Sequence, residues 1–388
     1  MKSSYLIIYL LFAFTCVSSA QSWPQQWERQ SNNRLQDYFT DIAETKDGSY
    51  VVLGATGSGS KADLWVLKFN NKGDTVWTRK VGTELTDIPL KIVCTNNNDV
   101  LILGQSGTGE SNTTMLVRMD ENGTEKWRKI LDKGYVGNAI TALDDNGFML
   151  AGGKGSDSEN QHIWLAKINE SGETVWEKTY EDAEKGCVAS IRQLPNGEFV
   201  LGSQVQGKVQ NDCDMLVIRV NKEGQQIWAS QIDSPNSKEW PECICCSPDS
   251  CFVVVGWNGN CLNDISSEYP VFDFDLVIKK MDCDGKVLWS KNVDSEGSEG
   301  GNAVTIRPDG DFIVAGTKVT SFAGNIGPWL LHIDPNGNIL DELLLDMKLE
   351  QASKVINTSD GGFVVIGPGL TERTNPRSDG WIIKFAGL

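Results

Sequence analysis

Histidine is nearly missing from this chain: its 388 residues include only His162 and His332. Neither belongs to a metal-ligand spacing, so no metal site is expected, and Ser-His-Asp or Cys-His chemistry would have to be built on one of these two. Bases are also scarce, 35 against 52 acids for a formal net charge of −17. Such a surface repels phosphate backbones and anionic membranes, so nucleic acid is not an expected partner. Beyond the first twenty residues no apolar run approaches the roughly 20 residues of a membrane span. Helical periodicity is almost absent, which excludes helical bundles and α/β folds.

The N-terminus carries Lys2, an apolar run from Tyr5 to Val17, and Ser18-Ser19-Ala20 before Gln21. Residues 1–20 read as a secretory signal peptide cut after Ala20, leaving 21–388 as an exported mature chain. Cys16 as a lipidation cysteine fits poorly, because Ala13-Phe14-Thr15 precedes it.

Tryptophan recurs at Trp27, Trp77, Trp127, Trp176, Trp228 and Trp289, and from Trp77 onward each follows a glycine by four residues. Glycines at 54, 104, 152, 202, 256, 316 and 367 end short β-branched or aromatic runs such as Tyr50-Val51-Val52-Leu53, which sets seven units. These runs are too short for helices and are bounded by turns such as Lys46-Asp47-Gly48 and Pro308-Asp309-Gly310, so they read as strands of tight hairpins. A third strand in each unit ends with a base: Lys68, Arg118, Lys167, Arg219, Lys280, His332 or Lys384. In six units an Asx two residues later opens a turn, and the fourth strand carries the tryptophan.

Four short antiparallel strands repeated seven times describe an all-β, seven-bladed β-propeller. Unit seven stops after its third strand, while Gln25-Gln26-Trp27-Glu28-Arg29 matches the fourth strand around Trp77 one period early. The N-terminal strand is therefore expected to complete the last blade and close the ring, removing two sheet edges. In unit six Asp341 takes the tryptophan position, so an irregular outer strand is expected there.

The Asx-x-x-Gly-x-x-x-Trp pattern, with an apolar strand and a base before it, resembles the repeat of secreted bacterial propeller proteins. It is distantly similar to the tryptophan-docking repeat of pyrroloquinoline-quinone enzymes. Across the mature chain that resemblance implies a propeller whose tryptophans pack between blades. No cofactor-binding residue of those enzymes maps onto this sequence, and no cofactor is expected.

Nine cysteines follow the signal peptide, and in an exported chain most should be paired. Cys246 and Cys251 flank the first hairpin of unit five and are the expected disulfide. Zinc at Cys243, Cys245, Cys246 and Cys251 competes, but Cys-x-Cys-Cys lacks two paired ligand spacings. Asn112, Asn122, Asn169 and Asn357 head glycosylation sequons. Asp282-Cys283-Asp284-Gly285 has only part of a calcium loop's ligand set, and turn chemistry accounts for it. Asp63, Asp214, Asp275 and Asp379 open third strands, which suggests structural bonds to turns.

The least repetitive region is the unit-five loop, with Trp257, Asn258, Asp264, Glu268, Tyr269 and Asp273 as candidate ligand-binding residues. Three functions are consistent with this pattern. The leading one is a secreted binding module recognising an extracellular glycan, protein or small ligand at the propeller rim. The second is a secreted hydrolase or lyase using carboxylates at the channel mouth. The third is a disulfide-linked matrix component.

Overall fold

The computed structural model describes residues 23–31, 36–58, 61–107, 112–156, 160–184, 186–207, 212–232, 237–247, 249–261, 272–294, 297–319, 326–346, 348–370 and 378–388. These residues form 28 strands and no α-helix. Five sheets are four-stranded and antiparallel, and a sixth has eight strands. The eight-stranded sheet holds units four and five, joined by a single parallel pair, Cys213 with Lys238. Within each unit the strands lie side by side in chain order, as in unit one with Gln36–Glu44, Tyr50–Ser58, Lys61–Phe69 and Thr75–Val81. The last unit takes its outer strand from the N-terminus: Gln25–Gln30 pairs antiparallel with Ser378–Phe385.

The repeat glycine has a physical cause in the innermost strand. In six units that strand skips one residue opposite its neighbour, at Thr40, Leu90, Asn138, Ala189, Glu242 and Asn302. Such a bulge bends the strand and pushes its backbone toward the adjoining one. A Cβ on Gly54, Gly152, Gly256 or Gly316 would lie 1.8–2.0 Å from a carbonyl oxygen of the innermost strand, and one on Gly367 would lie 1.9 Å from Gln351 O, just ahead of that strand. Only a residue without a side chain fits there. Unit four corrects the sequence alignment, because Ser203 and not Gly202 faces the residue before the bulge. A Cβ on Gly202 would meet nothing closer than 3.8 Å. Ser203 instead donates its hydroxyl to Cys187 O at 2.9 Å, the carbonyl that elsewhere crowds the glycine.

The third-strand bases all reach acids in the first hairpin turn of their own unit. Lys68 meets Asp47, Arg118 meets Asp99, Lys167 meets Asp145, Arg219 meets Glu198, Lys280 meets Asp249, His332 meets Asp311 and Lys384 meets Asp360, at 2.7–3.2 Å. His332 is thus a repeat-position residue. The pairs tie the second strand's entry to the third strand's exit and stabilise each hairpin from within.

Adjacent units are joined by the tryptophans. Indole N–H groups of Trp77, Trp127, Trp228 and Trp289 donate to carbonyls of Glu121, Glu170, Cys283 and Pro335 in the following unit, at 2.9–3.2 Å. Each ring covers a glycine of that unit's third turn, such as Gly123 at φ +77° beneath Trp77. The rings of Trp228 and Trp289 also tilt against Phe252 and Phe312, the buried aromatics opening the next unit's second strand, at 6.1 and 6.4 Å. Burial of one such aromatic contributes roughly 2–3 kcal/mol. Trp27, on the N-terminal strand, covers Gly73 of unit one and donates to Asn71 O at 3.0 Å. Phe39, Ile42 and Trp65 of unit one pack with Val364, Ile366 and Ile382 of unit seven in one buried cluster.

Unit six does not have the irregular outer strand expected from Asp341. Ile339–Leu344 pairs with Ile326–Ile333 in the usual register, and Asp341 sits opposite His332. The missing tryptophan has a simple reason. Because the outer strand of unit seven comes from the N-terminal segment, no Asx-x-x-Gly turn joins it to the third strand, and no turn glycine awaits an indole from unit six.

Candidate functional site

Two places concentrate polar groups that the repeat does not consume. The first lies where unit five meets unit six. The strands Phe252–Cys261 and Phe272–Met281 run on beyond the core, setting Asn258 opposite Asp275 and Asn260 opposite Asp273. Asn260 Nδ2 donates to Asp275 Oδ2 at 2.6 Å, and Asn258 Nδ2 donates to Asn260 Oδ1 at 3.3 Å. Asp275 and Asn258 are 4% and 3% exposed, yet Asp275 Oδ1 and Asn258 Oδ1 have no hydrogen-bond partner among the described residues.

Asp294, which follows the fourth strand of unit five, and Glu299, which opens the first strand of unit six, bring carboxyl oxygens within 4.8 Å of Asp275 and of each other. Burial, then the charges of Asp294, Asp273 and Glu299, push the Asp275 carboxyl up to about 6. The Asn260 bond only partly opposes them. Asp275 therefore does not make the simple turn bond expected for residues that open third strands. In unit one the equivalent acids are better served: the place of Asp294 is Gly82, and Asp87 accepts the Thr83 N–H at 2.7 Å.

The second place is a cavity of about 360 Å³ lined by residues of six units, most of them on or beside the first strand of their unit. Its charged residues include Asp41, Lys91, Arg192, Glu242 and Lys354. Asp41 accepts the Ile92 N–H at 2.9 Å and lies 3.5 Å from the Lys354 ammonium. Burial, reinforced by Lys354, lowers the Lys91 pKa, while burial raises that of Glu242 against the pull of Lys91. An ammonium and a carboxyl pushed toward each other in one cavity can exchange a proton with a bound molecule.

The residues expected at the rim fare differently. Asn258 and Asp273 border the carboxyl cluster. Trp257 is half-buried, its indole laid on Gly300, where a Cβ would come within 2.1 Å of the ring. Its first role is packing between units five and six. Asp264, Glu268 and Tyr269 lie outside the described residues. Asp294, Glu299, Lys91 and Glu242 were not singled out by sequence, since only strand register brings them to these places. Asp294 did carry a signal, being an acid where unit one has Gly82.

The expected Cys246–Cys251 disulfide does not form: both thiols are free, as are the other cysteines whose side chains are described. Cys246 pairs with Phe252 across the ladder, which leaves Cys251 in the turn, where its carbonyl accepts the Ser247 N–H at 2.8 Å. Among the sequons, Asn122 is exposed in a turn and Asn112 is half-buried beside its strand. Asn169 spends its side chain on its own turn, accepting from Ser171 and Glu173 and donating to Glu173. Asn357 lines the cavity and donates its amide to Ile306 O, a position that would not admit a glycan in the folded protein.

No family model matches the chain, and no curated protein matches it in sequence. Solved structures do share its fold. The polysaccharide lyase Uly1 is similar with a TM-score of 0.57 at 10% identity, covering 93% of this chain and 99% of its own. The α-L-arabinofuranosidase Arb93A from Fusarium graminearum, in complex with an iminosugar inhibitor, gives 0.53 at 10% identity, covering 94% and 98%. The Pan2 WD40 domain of Neurospora crassa gives 0.54 at 10% identity, covering 93% and 95%. At these identities the likeness defines an all-β, propeller-like class and nothing further.

Proposed function

We propose that the chain is an exported seven-bladed β-propeller, closed by its N-terminal strand, that binds an extracellular glycan, protein or small ligand at the rim of unit five. Ring closure is supported by the strand pairing of unit seven, by Trp27 on Gly73, and by the cluster shared between units one and seven. Export rests on the signal-peptide pattern of residues 1–20. The binding role rests on one observation: beside the long unit-five loop, Asn258, Asn260, Asp273 and Asp275 offer more polar atoms than the fold satisfies. Such groups next to Trp257 and Phe274 suit a hydroxyl-rich ligand, to which carboxylates and amides bond while aromatic faces cover apolar ring surfaces. A glycan array with the mature protein tests this. Binding that disappears in Asn260→Ala and Asp273→Ala supports the reading, and binding unchanged in both rejects it.

A second reading is favoured by the cavity. Lys91 and Glu242 have the displaced proton affinities of an acid–base pair, and two of the fold neighbours are named as glycan-cleaving enzymes. In this reading the protein cleaves a polysaccharide end or side chain reaching the cavity. Release of new reducing ends or unsaturated sugars, lost in Glu242→Gln and Lys91→Met, would support it. Absence of products from a broad polysaccharide panel would dismiss it.

A further inference from the structure

We propose that Asp275, Asp294 and Glu299 form a calcium site that bridges units five and six. Their carboxyl oxygens lie within 4.8 Å of one another. That distance is the span of two calcium–oxygen bonds of about 2.4 Å, so a single ion can touch all three groups. The feature that sets this group apart from surface acidity is Asp275, only 4% exposed and with Oδ1 lacking a hydrogen-bond donor among the described residues. A buried carboxylate held by one neutral amide through Oδ2 and by nothing at Oδ1 is unfavourable as an anion, and a proton or a cation relieves it.

Two other buried acids meet bases: Asp99 has Arg118 and Lys126 at 2.8 and 2.7 Å, and Glu239 has Lys279 at 2.7 Å. Neither Asp275 nor Asp294 forms an ion pair among the described residues. Asn258, directly opposite Asp275, adds a buried amide oxygen without a donor. Oxygen-only donors from three chain segments suit calcium, which accepts six to eight ligands in flexible geometry. Magnesium requires near-octahedral bonds of about 2.0–2.1 Å and gives up its waters reluctantly. Asp294 belongs to the end of unit five and Glu299 to the start of unit six, so the ion would tie the two units together.

The test uses the mature protein with calcium chloride, magnesium chloride or a chelator, read by thermal unfolding and by calorimetric titration of the metal alone. Calcium is expected to raise the Tm by a few degrees at neutral pH, with magnesium much less effective. Asp294→Asn, at an exposed position, should weaken calcium at least tenfold while the protein still folds, and Asp275→Asn should do the same. Asp284→Asn, in the turn that only resembles part of a calcium loop, should leave binding unchanged. The proposal is overturned if calcium gives neither heat nor a Tm shift, or if Asp284→Asn weakens it as much as Asp294→Asn. It is also overturned if Asp275→Asn stabilises a parent that ignores calcium, since the carboxyls then share a proton.

Discussion

The ammonium of Lys384 is completely buried and lies 2.7 Å from Asp360 Oδ1, while Thr358 Oγ1 accepts a second bond from it. Asp360 itself is half exposed at the tip of the hairpin. The base is thus the costly member of the pair, and the acid compensates its burial. Substituting either residue should therefore have unequal effects. Asp360→Asn leaves a buried charge with only neutral partners and should cost about 1–3 kcal/mol, discounted from a fully buried pair for the exposure of the acid. Lys384→Met removes the charge and keeps the packing stem, so it should cost less. Urea unfolding of both variants checks the order, and a larger loss in Lys384→Met would contradict this account.

The same pairs set the acid limit of the fold. Burial disfavours ionised Asp360, but bonds from Lys384, Thr358 and the Gly362 N–H outweigh it and bring the carboxyl to about 2. Asp249 is also brought to about 2, where bonds from Lys280, Ser247 and Cys251 outweigh burial. A carboxyl held lower in the folded than in the unfolded chain contributes stability above its ordinary value of 3.8, and that contribution fades as pH falls toward 2. Stability should therefore drop between about pH 4 and pH 2. The drop should be shallower in the double variant Asp249→Asn, Asp360→Asn, which starts from a lower plateau. Unfolding free energies measured across this window would show equal slopes if the pairs contribute nothing.

Two glycines that look equivalent in sequence should respond in opposite ways to alanine. A Cβ on Gly256 would sit 1.8 Å from Trp240 O, and the bulged strand cannot retreat without losing its ladder. Gly256→Ala should cost about 3 kcal/mol or leave the protein unfolded. Gly202→Ala meets only ordinary contacts at 3.8 Å and should be neutral or stabilising by about 0.5 kcal/mol, through the unfolded chain. Chemical denaturation of the pair distinguishes the two positions, and similar losses would mean that the bulge does not dictate the glycine.

This contrast also shows what the sequence could and could not reveal. The glycine column was visible, but its cause was not, because the crowding carbonyl belongs to a strand about fifteen residues earlier and depends on a bulge. The bases of the third strands were visible as a column too. Their partners were hidden because the acid sits three residues before the first residue of the second strand in Asp47, Asp145, Asp249 and Asp360, but one before it in Asp99, Glu198 and Asp311. The packing role of the tryptophans is legible in the sequence, since their spacing from the turn glycines is fixed. At the candidate site the unit-five loop stood out by length alone. Asp294 and Glu299 did not, because they join Asp275 only through the contact of two sheets.

The strand Gln25–Gln30 offers the strongest test of how the fold is held together. It satisfies the edge of Trp381–Phe385 through five registered pairs, and it places Trp27 on Gly73 with Arg29 over the indole at 5.7 Å. Arg29 also donates to Lys72 O at 3.2 Å, so one short strand serves both unit one and unit seven. A chain that starts at residue 32 should have an open sheet edge and an uncovered turn glycine, and both favour aggregation. The truncated protein is expected to unfold at clearly lower urea concentration and to scatter light on standing. A synthetic peptide of residues 23–31 should restore part of the lost stability in trans, whereas Trp27→Ala in that peptide should abolish the rescue. If the truncated chain unfolds at the same urea concentration as the parent, the N-terminal strand does not close the fold.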